Sequence, residues 1–121
     1  TGLIPMFIKV AYKKEPVFSN SKVVYTIGTS TFKDKIGADF TKLATINDHI
    51  GKKELDILKD NNNACMFRAG ANYADAITFG ADNVDKKLVE EFSKVKGKKV
   101  LKFNADSDLT DYLQLYADLS K

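Results

Sequence analysis

Cysteine and histidine are nearly missing from this 121-residue chain, which has one of each, Cys65 and His49. A lone cysteine excludes an intrachain disulfide and suits a reducing compartment, so a cytoplasmic location is expected. One Cys with one His falls short of the usual zinc ligand sets, and neither a metal nor another cofactor is expected. Arginine is as scarce. Of 19 basic residues, Arg68 is the single arginine and the rest are lysine, and the net charge is only +3. Nucleic-acid surfaces lean on Arg for bidentate contacts, so no nucleic-acid partner is expected. No apolar run approaches the ~18 residues that a membrane span requires, which argues against a membrane partner. The stretch Leu3–Tyr12 mimics the apolar part of a secretory signal. No basic segment precedes it, no small-residue cleavage site follows it, and Lys9 interrupts it. Neither G-x-G-x-x-G nor G-x-x-x-x-G-K-[ST] occurs, which leaves dinucleotide and P-loop readings without support.

What is present suffices for one core. Apolar residues make up 44% of the chain, and its length is that of a single domain, with no linker and no internal repeat. Yet the chain opens on Thr1-Gly2-Leu3-Ile4-Pro5-Met6-Phe7-Ile8. An apolar, helix-like run at the first residue suggests a fragment.

Periodicity predicts the elements. Leu3, Phe7, Val10 and Ala11 form one helical stripe and Ile4, Ile8 and Tyr12 a second, with Pro5 in the first turn. Lys22–Ile27 is β-branched and aromatic and reads as a strand buried on both faces. Phe32, Ile36, Phe40, Leu43 and Ile46 predict a weaker helix within residues 32–50, and Glu54–Leu58 a further helical turn. Asn61-Asn62-Asn63 marks a loop or an N-cap ahead of a helix over Ala64–Ala74. A second strand follows at Ala76–Phe79, a helix at Val84–Val95, a turn at Lys96–Lys99 and a third strand at Val100–Phe103. The last helix places Leu109, Tyr112, Leu113, Tyr116 and Leu119 on one side. Strands alternating with helices predict an α/β fold with a short parallel sheet of about three strands, order 1-2-3, and flanking helices.

Ligands in open α/β sheets sit at the carboxyl ends of the strands. Three loops qualify, over residues 28–31, 80–83 and 104–108. The cleft-facing candidates are Gly28, Thr29, Ser30, Gly80, Asp82 and Asn83. The second loop precedes a helix start, where free N–H groups can hold an anion. Asp82 and Asp85 would oppose one, and turn and capping chemistry explains the loop as well. His49 has no Ser or Cys elbow to serve and reads as a surface or structural residue. Cys65, beside Met66 and Phe67, reads as a packing residue. Lys94, Lys96, Lys98, Lys99 and Lys102 read as a solvated helix end and turn. The carboxylates of Glu90, Glu91, Asp106, Asp108 and Asp111 have no spacing that marks a glycosidase pair. From the residues alone no active site assembles.

Three stretches together carry a resemblance. Thr1-Gly2-Leu3-Ile4-Pro5-Met6-Phe7-Ile8-Lys9 resembles the helix that follows the His-x-His-x-Trp strand of bacterial glycogen and starch synthases. Lys22-Val23-Val24-Tyr25-Thr26-Ile27-Gly28-Thr29 resembles that family's next strand, which usually ends Thr-Ile-His-Asn. Phe67–Thr78 resembles a helix and strand that usually read Lys-x-Gly-x-x-x-Ala-Asp and then Thr-Val-Ser-Pro. Residues 34–63 and 85–121 match only loosely.

The resemblance implies a retaining glucosyltransferase that moves glucose from a nucleotide sugar onto an α-1,4-glucan. It implies a GT-B architecture, two Rossmann-like three-layer sandwiches with the active site between them. This chain would be a single α/β unit, the C-terminal half of the first domain. Gly28-Thr29 stands where the family usually has His-Asn, and Gly80-Ala81 where it usually has Ser-Pro. The Lys-x-Gly-Gly loop and the cationic residues of the donor site have no counterpart, so no catalytic residue carries over. The expectation is a fragment that does not transfer glucose alone. Its partners would be an α-glucan, the missing N-terminal half, or a second copy joined through an exposed sheet edge. A non-catalytic glucan-binding or regulatory module is the alternative.

Overall fold

The structure, a computed structural model, describes residues 2–29, 32–106 and 109–121. The chain packs as two compact units, one of residues 1–21 with 31–73 and one of residues 22–30 with 74–121.

The first unit is helical. It opens with α1 (Ile4–Met6), which continues as a π-helical turn over Phe7–Ala11. The expected α-helix over residues 3–13 is thus replaced after one turn by i→i+5 bonding, with Tyr12 N donating to Phe7 O at 2.9 Å. After it come α2 (Phe40–Ala44), α3 (Lys52–Asp56) and α4 (Asn63–Tyr73). Met6, Leu58, Cys65 and Ala69 are fully buried together, with Ala44 and Ile50 beside them. Gly2 shows how close this packing is. A Cβ there would stand 2.7 Å from the main-chain oxygen of Met66 on α4, a contact that only a backbone shift could relieve. Asn62 caps α4 by accepting from Cys65 N at 2.9 Å, as the asparagine run predicts.

The helix expected within residues 32–50 shrinks to the five residues of α2. Competing bonds explain the loss. Ile36 N donates to Asn61 O at 2.8 Å, so a main-chain donor that a longer helix would use is engaged elsewhere, and the Asn47 side-chain amide donates to Ala11 O at 2.9 Å, which ties the loop after α2 to the first helical segment. Phe32, Leu43 and Ile46 of the expected stripe stand exposed.

The second unit holds the sheet. β1 (Val24–Ile27), β2 (Ala76–Phe79) and β3 (Lys99–Leu101) are all parallel, in the order β1-β2-β3. The α/β expectation and the strand order are both borne out. Register runs Val24↔Ala76 through Ile27↔Phe79 and Ala76↔Lys99 through Thr78↔Leu101. Every residue of β2 is buried, as befits the central strand. β1 buries only Ile27 and leaves Thr26 exposed, so the reading of that strand as covered on both faces fails.

Between β2 and β3 lies α5 (Lys86–Ser93), capped by Asp85, whose carboxylate accepts from Lys87 N at 2.8 Å. It begins two residues later than expected, and Val84 is buried in the loop before it. Gly97, at φ +78°, makes the turn into β3. Last comes α6 (Thr110–Leu119), which packs on β3. The expected apolar stripe of this helix is misplaced. Leu115 is the residue it buries, and Leu109, Leu113 and Tyr116 are exposed. No helix among the described residues is long and apolar enough to cross a membrane.

Candidate functional site

Parallel pairing gathers the candidate loops at one end of the sheet. Ile27 and Phe79 are register partners at the carboxyl ends of β1 and β2, and Gly80 N donates to Ile27 O at 2.9 Å. Gly28 and Gly80 therefore leave the sheet side by side, carrying Thr29 on one loop and Asp82 and Asn83 on the other. Thr29, Gly80, Asp82 and Asn83 are exposed and Gly28 is half-buried. Ser30, the remaining candidate, lies outside the described residues. The third loop leaves β3 at the same end, where Asn104 Oδ1 accepts from Asp106 N at 3.1 Å in a local turn, and Asp108 also lies outside the described residues.

Below this rim the strands carry a hydroxyl pair. Thr26 Oγ1 and Thr78 Oγ1 lie 2.7 Å apart, with Thr78 fully buried. The Thr26 methyl also limits the rim, because a Cβ at Gly80 would come within 3.0 Å of it. Gly28 differs. Among the described residues no atom lies within 4 Å of where its Cβ would be, and its φ is not in the left-handed region. Gly28→Ala should therefore stabilise the protein by about 0.4–1 kcal/mol through loss of unfolded-state entropy. Urea unfolding of the variant checks this, and a loss of stability would show that the position needs glycine.

The rim offers main-chain groups, the Thr29 hydroxyl, the Asp82 carboxylate and the Asn83 amide. Asp85 already caps α5 by accepting from Lys87 N and puts its own negative charge at that helix start, which disfavours an anion there. Strand order also bears on the site. Ligand crevices in open α/β sheets form where the order reverses, and β1-β2-β3 runs one way without a reversal among the described residues. No group of three or more His, Cys, Asp or Glu that could hold a metal occurs among the described residues.

Asp75 lies just before β2, within the stretch that carries the resemblance. Its carboxylate accepts from Val23 N at 2.7 Å while its own N–H donates to Val23 O at 2.8 Å. This motif residue fastens the start of β1 to β2 and is thereby given a structural task. The lysine run does not act as one patch. Lys98 donates to Ala74 O at 2.6 Å, and Lys99 pairs with Asp118 on α6. Hydrogen bonds from Lys99 and Gln114 hold the Asp118 carboxyl below the usual carboxylate range. On β1, burial pushes the Tyr25 phenol up.

A second grouping escaped the sequence reading. Lys9, Lys13, Lys14 and His49 line one cavity in the helical unit. The spacing of the lysines was visible, but no sequence signal ties His49 to them, since its loop is brought there by the Asn47–Ala11 hydrogen bond. Cys65 is buried, its thiol 3.0 Å from Asn62 O, in keeping with a packing role.

No curated protein and no solved structure matches this chain. The family model of the starch synthase catalytic domain does match, over residues 1–102. That span takes in all three resembling stretches and the whole parallel sheet, and the chain belongs to the starch synthase catalytic domain family.

Proposed function

We propose that this chain is part of the scaffold of a glycogen or starch synthase-like glucosyltransferase, the C-terminal half of its first Rossmann-like domain, and does not transfer glucose by itself. The observation that carries the reading is what stands at the strand ends of a sheet matched by the family model. Gly28-Thr29 and Gly80-Ala81 put no cationic group there, the neighbouring charge is the Asp82 carboxylate, and among the described residues the space at the Gly28 Cβ position is open. A leaving nucleotide needs cationic groups aimed at its phosphates. The expected result with ADP-glucose and glycogen is glucosyl transfer no faster than a no-protein control, and turnover clearly above it overturns the claim.

The sheet supports a partner through its edge. Val23 O and Ile27 O accept from the β2 side, so by alternation the main-chain groups of Val24 and Thr26 point to the other edge of β1, where no strand pairs among the described residues. The occupant is the strand-bearing first half of the domain or, without it, a second copy. Sedimentation velocity should show concentration-dependent association that Val24→Pro abolishes, because proline at the first position of an edge strand removes only an outward N–H. A wild-type chain that stays monomeric at every concentration refutes the edge pairing.

The non-catalytic alternative has one feature in its favour, the tilted Tyr112–Tyr116 ring pair on α6, centroids 6.4 Å apart, with Tyr116 exposed. Affinity electrophoresis in glycogen-containing gels distinguishes it, because absence of retardation removes glucan binding.

A further inference from the structure

The cavity lined by Lys9, Val10, Lys13, Lys14 and His49 has a volume of about 330 Å3, at the small end of pockets that hold small molecules. Four of its five lining side chains are basic. Two tertiary bonds fix its walls. Lys9 Nζ donates to Ser21 O at 2.8 Å, which holds that ammonium at the rim. Asn47 donates to Ala11 O at 2.9 Å and accepts from His49 N at 3.1 Å, which holds the histidine loop against the end of the π-helical turn. Such turns occur often at functional sites. The acidic neighbours in sequence, Glu15 and Asp48, do not line the cavity. Among the described residues no carboxylate pairs with Lys13 or Lys14. Lys13 and Lys14 are like charges with no paired carboxylate, and an anion relieves their repulsion.

We infer that this cavity binds the phosphoryl group of a small phosphate monoester. A phosphoryl group carries about −1.5 to −2 charge at neutral pH and three strong acceptor oxygens, a match for Lys13 and Lys14 as point charges and for an imidazole N–H. Val10 supplies an apolar wall for the organic part. The site lies wholly in the helical unit and rests on neither the family membership nor the strand-end loops.

The single histidine makes the test direct, since the chain gives one imidazole Hε1 resonance by proton NMR. Inorganic phosphate is the probe, titrated at constant pH and ionic strength against sodium chloride. The expected result is a saturable shift of the His49 resonance with phosphate and none with chloride. The Lys13→Gln/Lys14→Gln double variant should bind at least about tenfold more weakly. Lys86→Gln/Lys87→Gln, on α5 and outside the cavity, should bind as the wild type does. A shift that never saturates, one that chloride reproduces, or a Lys13→Gln/Lys14→Gln variant with wild-type affinity overturns the proposal. Far-UV circular dichroism of each variant verifies that these exposed substitutions leave the fold intact.

Discussion

Ile77→Ala is expected to cost about 2–5 kcal/mol of unfolding free energy, and Ile77→Val about 0.5–1.5 kcal/mol. Ile77 is the second residue of β2, pairs in register with Tyr25 and Val100, and has no solvent exposure. Both of its neighbouring strands are edges among the described residues, so β2 holds the sheet together from the middle. Truncation to alanine removes transfer free energy and leaves a cavity that strands held by main-chain bonds on both sides cannot close. Urea unfolding measures the loss, and amide exchange at β2 assigns it to the sheet. An Ile77→Ala protein as stable as the wild type would mean that the central strand is not packed on both faces.

Leu58→Ala should have an effect of similar size in the helical unit, again about 2–5 kcal/mol. Leu58 is fully buried in the same cluster as Met6, Cys65 and Ala69. The neighbouring thiol provides the readout. Cys65 is the only cysteine and is completely buried, so a thiol reagent reaches it only when the unit opens. Where opening and closing are fast, labelling follows the opening equilibrium. A cost of about 2 kcal/mol then speeds labelling about thirtyfold, and larger costs more. Labelling of Leu58→Ala at the wild-type rate would show that Leu58 does not hold the cluster closed.

These two positions differ in how far the sequence foretold them. Ile77 lies in the run Ala76-Ile77-Thr78-Phe79, three apolar residues and a β-branched threonine bounded by Asp75 and Gly80, and that local pattern was enough to predict β2 with its observed limits. Local pattern also foretold α4 to within a residue, from its small residues after the asparagine run, and α5, whose stripe of Leu88, Val89 and Phe92 faces inward although the helix is two residues shorter at each end than expected. Leu58 stands at the end of a short polar-flanked turn, and only the assembled cluster makes it a core residue. The helix expected within residues 32–50 failed for a related reason, because tertiary hydrogen bonds of Ile36 and Asn47 outweighed a weak stripe. In α6 the composition allowed several apolar faces, and packing on β3 chose the one that carries Leu115.

The candidate rim divides the same way. Parallel strands place their carboxyl ends together, so the sequence pattern alone groups loops 28–29 and 80–83, and the structure does group them. What stands above them could not be read. That Gly28 faces open space while Gly80 is pressed by the Thr26 methyl is a matter of distances between strands.

By itself the sequence determined the alternation of strands and helices, the parallel sheet and the family, because each rests on local periodicity or on short stretches of neighbouring residues. The tertiary structure decided which helix faces are covered, that the first helix widens into a π turn, that Asp75 fastens β1, and that His49 joins Lys9, Lys13 and Lys14 around one cavity. Those outcomes depend on contacts between residues far apart in the chain, where competing bonds and steric fit choose among arrangements that local pattern leaves equal.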